Sequence, residues 1–284
     1  MLRHICNPVS IYSSVLGVVL VCLLRAASAQ PDTDHPLVFG FLPIVSSERL
    51  VRRFSPLTEY LSRTLDIEIR METAPDFHEF VHRTRDGRRY DILFTAPHLY
   101  YLAHENPGYQ AIARVDRPGM KAVVVTRADS RINSIQDLRG RRLATTDPLA
   151  LATVLARSLL QGSGIDPDRD LALVATPSHN ASLLSSYRGT TDASVLILPL
   201  YRRARADIRD SMKIVAETGS APHMPLAVAP WVDAGTAARL RTALLDMNTT
   251  PAGRALLRHL DWPGFATVAA DDYDALGHIA EQLD

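Results

Sequence analysis

The chain has 284 residues, 46% of them apolar, enough for a large core divided over two modest domains. Its 31 basic and 31 acidic side chains balance, which excludes the electrostatic footprint of a nucleic-acid partner. Lys occurs only at positions 121 and 213, so the positive charge is carried almost entirely by Arg.

The first 29 residues read as a secretory signal peptide. Arg3 and His4 precede an apolar stretch over 15–24, and Ala27-Ser28-Ala29 forms an Ala-x-Ala site with cleavage before Gln30. The stretch is shorter than the ~20 apolar residues of a membrane span. Val21 is too bulky for a lipobox at Cys22. Both cysteines, Cys6 and Cys22, fall inside the segment, so the mature chain has no thiol for disulfides, nucleophilic catalysis or metal ligation. Loss of Arg3 and Arg25 leaves 29 basic against 31 acidic residues, net −2. An exported, cysteine-free chain suits a bacterial periplasm.

After the signal segment, strand and helix patterns alternate. LVFGFL (37–42) is a short β-type run, followed by a helical pattern over 47–65 in which Leu50, Phe54, Leu57 and Leu61 share one face. Pro56 is expected to interrupt it and start a second helix capped by Ser55. IEIRME (67–72), a helix over 76–86 stopped by Gly87, and the strand YDILFT (90–95) come next. A helix over 97–105 then leads to the strands QAIARV (110–115) and KAVVVTR (121–127).

The middle section brings a short helix in INSIQDLRG, the strand RRLATT (141–146) and an apolar helix expected over 148–162 with Pro148 in its first turn. LALVA (171–175), a helix over 179–188, ASVLILP (193–199) and MKIVAE (212–217) complete it. MPLAVAP (224–230) and helices over 233–247, 251–257 and 271–283 close the chain. Such alternation predicts α/β layers with mainly parallel sheets. The segments near 110–127 and 212–230 flank the middle like paired crossovers. The expected division is therefore one discontinuous lobe (30–117 and 222–284) and an inserted lobe (118–221), with a ligand cleft between them.

Taken in order, FGFLPIVSSERL with SPLTEYLSRTL, YDILFTAPHLYYLA, RADSRINSIQDLRGRRLATTDP, SHNASLLSSYRGTTDASV, PLAVAPWVD and TTPAGRALLRHLDWPGF resemble one family. It is that of the periplasmic substrate-binding proteins of phosphate/phosphite/phosphonate ABC transporters. The resemblance implies a class II periplasmic-binding-protein fold, two α/β lobes closing by hinge motion on a small ligand. It further implies delivery to an ABC permease, no enzymatic activity and no cofactor; a monomer is expected. The ligand's identity is left open.

In that family the Asp-Pro of the anion cradle is typically followed by a Ser/Thr-rich run whose hydroxyls hold phosphonate oxygens. Here Asp147-Pro148 is kept, but Leu149, Ala150, Leu151 and Ala152 follow. A hydrogen bond to a charged group is worth about 1.5–3 kcal/mol. Losing two or three reduces affinity on the order of a thousandfold, more than the roughly 0.3–2 kcal/mol a helix dipole restores. A less charged or more apolar ligand is expected, with the aliphatic turn as part of the pocket wall.

The remaining ligand candidates sit where strands give way to helices. Thr95, Ala96 and His98 flank Pro97; Thr146 and Asp147 precede the cradle helix; His179 follows Ser178. Ile44, in place of an aromatic residue common in the family, and Ser46 belong to the first strand–helix turn, and Asp192 matches the family's acidic position in GTTDAS. Helix capping by Ser46, Thr146, Asp147 and Ser178 accounts for those residues equally well.

Two readings compete with transport. One is a ligand-sensing partner of a membrane histidine kinase. The other is a zinc hydrolase, because HEFVH places His78 and His82 four apart with Glu79 beside them, the zinc-protease spacing. Against the second, Phe77, Phe80 and Val81 make the same segment an ordinary amphipathic helix. The Gly162-Ser163-Gly164 triplet reads as a helix stop.

Overall fold

Short runs of Val, Ile, Leu and Phe bounded by turn residues become strands, and the stretches of period 3.6 between them become the covering helices. A computed structural model describes residues 35–269, 271–280 and 283; the signal segment with Cys6 and Cys22 lies outside the described residues. In chain order the elements are β1 (Leu37–Phe41), α1 (Ser47–Leu65), β2 (Ile69–Thr73), α2 (Phe77–Arg85), β3 (Ile92–Phe94), α3 (Pro97–Glu105), β4 (Gln110–Val115) and β5 (Ala122–Arg127). Then come β6 (Arg142–Thr145), α4 (Leu151–Gly162), β7 (Ala172–Ala175), α5 (His179–Tyr187), β8 (Ala193–Ile197), α6 (Leu198–Arg202), α7 (Ala206–Arg209) and β9 (Met212–Glu217). The chain finishes with β10 (Pro225–Val228), α8 (Ala234–Leu245), α9 (Pro251–Leu260), β11 (Phe265–Ala266) and α10 (Gly277–Ala280).

The strands form two mixed sheets. The first has the order β11-β4-β10-β3-β1-β2, with β1 parallel to β2 and β3 and with β10 antiparallel to β3 and β4. The second has the order β7-β6-β8-β5-β9, with β6 parallel to β7 and β8 and with β5 antiparallel to β8 and β9. The chain passes between the sheets twice, after β4 and after β9. Those two connections pair through reciprocal backbone bonds between Met120 and Ala221, at 2.7 and 2.9 Å. Gly119 is required there, because a Cβ would stand 2.7 Å from the Ala221 carbonyl oxygen, which the pairing holds in place. Each crossover is thus built from two strands, one per sheet.

Both faces of each sheet are covered, as parallel pairing demands. Phe39 and Phe41 of β1 point into a core under α1, α8 and α9, where Phe54, Leu57, Leu61 and Leu257 are buried. Gly40 turns the other way, and the Tyr90 ring lies so close that a Cβ would sit 2.5 Å from it. In β5, Val123 and Val125 face α5 and α6, whereas Ala122 and Val124 face the core under α4. That last core is continuous from the second sheet through Leu151, Ala152 and Leu155 to Leu99, Tyr100 and Leu93 at the first.

Four expectations need correction. The sheets are mixed rather than mainly parallel, because the strands next to each crossover pair antiparallel with their neighbours. α1 runs unbroken through Pro56, its buried stripe of Leu50, Phe54, Leu57, Leu61 and Leu65 holding it against the sheet across the missing N–H. Among the described residues the last helix is Gly277–Ala280, starting six residues later than expected after a 3₁₀ turn at Asp274–Leu276. α4 begins at Leu151, three residues later than expected. The glycine stop forms as expected: α4 ends at Gly162, and Gly164 has φ +74° with its N–H donating to Gln161 O at 2.9 Å.

Candidate functional site

In parallel strands followed by helices, the carboxyl ends of the strands and the helix N-termini share one edge. At the first sheet this edge carries the turns after β1 and β3. The turn after β1 is open: Ile44 is 44% exposed, and Ser46 is an exposed N-cap whose side chain makes no cap bond. After β3 the turn is closed. Thr95, Ala96, Pro97 and His98 are all buried, and α3 starts with Pro97 at its first position, where its missing N–H leaves no helical bond unmade.

At the second sheet, β6 runs into Thr146 and Asp147. Asp147 Oδ1 accepts from the Leu149 N–H at 2.8 Å and its carbonyl accepts from Ala150 N–H at 2.9 Å, a local Asx turn. That turn explains the late start of α4: it takes up residues 147–150 and leaves Ala150 as an N-cap with no side-chain cap bond. Pro148 is exposed, Leu149 is half-buried, and Ala150, Leu151 and Ala152 are buried. The aliphatic turn is therefore packed between the sheets. The hydroxyls of Thr146 and Thr153 lie 3.4 Å apart. Thr153, third in the helix, was passed over by sequence reasoning; its helical position beside the cap was the signal.

The neighbouring β7 end is tied to the same place. Thr176 donates from both N–H and Oγ1 to the Thr145 carbonyl, at 2.8 and 2.6 Å. Ser178 caps α5 by accepting from Ala181 N–H at 3.2 Å. His179 opens that helix. Its face is fixed by Ser182, three residues on, whose hydroxyl reaches the Ala144 and Val195 carbonyls.

One bond joins the two edges: His98 Nε2 donates to the Leu149 carbonyl at 2.9 Å. Burial pushes the His98 imidazole down to about 4, the Leu149 carbonyl opposing, and burial alone does the same to His179. Both rings are neutral near pH 7. Among the described residues, four buried side-chain atoms have no hydrogen-bond partner. Three of them are Thr95 Oγ1, His98 Nδ1 and His179 Nδ1, all at these turns; the fourth, Tyr90 Oη, belongs to the ring over Gly40. Native structures pair almost all such atoms, so an unpaired group asks for an explanation.

Asp192 does not join them. It precedes β8, and its Oδ2 accepts from the N–H of Arg142, the first residue of β6, at 2.8 Å. The length of β6, about 10 Å at strand rise, separates it from Thr145 and Thr146, so its role is to tie β8 to β6. The HEFVH residues are also engaged elsewhere. His82 Nδ1 meets Asp86 at 3.1 Å, Glu79 accepts from Arg83 at 2.7 Å, and His78 is exposed. Among the described residues no three His, Cys, Asp or Glu side chains gather as a metal site.

Comparison with known proteins gives concordant results. The family model described as "ABC transporter, phosphonate, periplasmic substrate-binding protein" matches residues 39–273. A phosphonates-binding periplasmic protein of Escherichia coli (strain K12) is 20% identical over 264 residues, covering 87% of this chain and 76% of the relative. The fold is shared with PhnD1 of Prochlorococcus marinus, solved in complex with methylphosphonate, at a TM-score of 0.75 and 16% identity over 87% of this chain and 97% of that one. It is shared equally with a binding-protein component of an ABC phosphonate transporter of Pseudomonas aeruginosa, at a TM-score of 0.74 and 17% identity over 87% and 86% of the two chains.

Proposed function

This chain belongs to the periplasmic phosphonate-type substrate-binding proteins of ABC transporters, and from that membership we propose that it captures a small phosphonate-class ligand between its two sheets for delivery to a permease. Thr95, His98, Thr146 and His179 supply the polar contacts. Leu149, Ala150 and Leu151 form the apolar wall, and Ala96, Asp147, Ile44 and Ser46 border the way in. Residues 30–117 with 222–284 form one lobe and 118–221 the other, opening about the paired connections at Met120 and Ala221. Residues 1–29 are removed on export.

The observation that carries this reading is the pair of buried, unpartnered atoms Thr95 Oγ1 and His98 Nδ1 at a turn bonded across to the cradle. Leaving such groups unmatched costs about 1–3 kcal/mol each, and a ligand that pairs them recovers it. The paired connections supply the place where closure is accommodated.

A binder raises the melting temperature by mass action. The purified mature protein is expected to show such a rise, and one-to-one calorimetric binding, with methylphosphonate or phosphite at millimolar concentration. The carboxylates acetate and succinate are expected to give neither. Absence of any response to both phosphorus oxyanions overturns the reading.

A further inference from the structure

His98 makes a specific chemical demand. The side chain is 0% exposed, and its Nε2–H is committed to the Leu149 carbonyl at 2.9 Å. A neutral imidazole that donates from one nitrogen carries only a lone pair on the other. Here that other nitrogen, Nδ1, is buried without a partner. Turning the ring over would place a C–H against the Leu149 carbonyl and break the one bond it has. Protonating both nitrogens is opposed by burial. Nδ1 is therefore a fixed acceptor, and only a donor can satisfy it.

Resting on the site assignment above, we propose that the ligand presents a hydrogen-bond donor to His98 Nδ1. The protein takes a phosphonate-class oxyanion in its singly charged form, still carrying one O–H, and rejects the doubly ionised form and the sulfonates.

The rest of the site agrees. A fully ionised phosphonate offers only acceptors and would set its lone pairs against that of Nδ1 with both desolvated. Its second charge would also need donors that the turn lacks. Ala150 provides no side-chain cap, and Leu149, Leu151 and Ala152 carry no hydroxyl. Thr95 Oγ1, unpartnered three residues before His98, can donate to one of the remaining oxygens.

Three probes of equal charge and similar shape separate the donor from the charge. Below the second ionisation of methylphosphonate, that ion carries one negative charge and one O–H; its monomethyl ester and methanesulfonate carry one charge and none. Calorimetry is expected to find methylphosphonate bound at least about tenfold more tightly than either, the penalty of an unmatched buried acceptor. In His98→Phe the preference is expected to shrink to about twofold or less, with near-UV circular dichroism reporting the fold. Independently of that variant, long-range ¹H–¹⁵N correlation on the native protein is expected to show His98 protonated at Nε2 and bare at Nδ1. The Nδ1 resonance should move with methylphosphonate and stay with methanesulfonate.

If all three probes bind equally, or Nδ1 carries the proton, the site reading stands and this inference falls alone. If none of the three binds, the site reading fails and takes the inference with it.

Discussion

At the end of β3 the chain enters α3 through Thr95, Ala96 and Pro97; at the end of β6 it enters α4 through Thr146, Asp147 and Pro148. Both turns put a proline where a strand gives way to a helix, yet they are built differently. Ala96 lacks a side-chain acceptor, so Pro97 becomes the first helical residue and the buried Thr95 hydroxyl and His98 Nδ1 are left without partners. Asp147 has such an acceptor. It folds back on the Leu149 N–H, Pro148 is pushed to the surface, and the helix waits until Leu151. The second turn is closed by its own Asp147 bonds and is apolar in packing, while the first is apolar around it and unsatisfied within. Local rules are obeyed at the turn after β6 and broken at the turn proposed to recognise the ligand, the pattern expected where function is bought with stability.

The sharpest way to break this contrast is at the packed turn. Leu151 is 6% exposed within the core shared by both sheets. Leu151→Ala is expected to lower unfolding free energy by about 2–5 kcal/mol, the usual range for such truncations, read as a drop in the urea midpoint. A loss below about 0.5 kcal/mol means the turn is not packed as described. His98 gives the next largest effect, seen through pH. Burial lowers its folded-state value to about 4, below the ordinary unfolded value of about 6.5. The unfolded chain therefore binds the proton first as pH falls through 6.5, and stability declines down to about pH 4, by on the order of 3 kcal/mol from this one group. His98→Phe is expected to flatten the stability–pH slope over that window by up to about 1.4 kcal/mol per unit. His179 and His223, lowered the same way by burial, keep part of the slope. An unchanged slope refutes the buried neutral imidazole.

At the unsatisfied turn the sign reverses. Thr95→Val keeps the shape and removes a hydroxyl that has no partner. The free protein is expected to gain about 1 kcal/mol while methylphosphonate affinity falls about tenfold. Loss of both stability and binding would mark Thr95 as an ordinary structural residue.

The α/β alternation was legible because each strand is a short apolar run and each helix a period-3.6 stripe, as in β5 with its buried Val123 and Val125 on one face and Val124 on the other. The ends of elements were less so. Pro56 looks like a boundary in a string of letters, but the five apolar residues around it bury one continuous face. Pro148 looks like a helix start unless the acceptor on Asp147 is weighed. The candidates Thr95, His98 and His179 could be picked out by their place after strands, whereas their lack of partners could not. Whether a hydroxyl or imidazole is paired depends on what distant segments bring to it, here a carbonyl 51 residues away from His98.

Asp192 shows how much strand direction alone can decide, and it gives the smallest effect. The family resemblance groups it with the ligand residues, because it matches the family's acidic position in GTTDAS. It stands before the apolar run of β8, however, and in a sheet where β8 is parallel to β6 that places it at the amino end, opposite the helix N-termini. Its carboxylate accepts from the Arg142 N–H at 2.8 Å, with the Arg142 Nε at 3.7 Å, and its carbonyl accepts from Thr126 Oγ1 at 2.8 Å. Asp192→Asn keeps the backbone bonds and an acceptor oxygen and removes only a half-exposed charge. The expected loss is below about 1 kcal/mol, in line with surface ion pairs, and methylphosphonate affinity should stay within about twofold of the native value. A tenfold loss of affinity with stability unchanged would put the ligand at the amino ends of the strands and invalidate the division between the two turns.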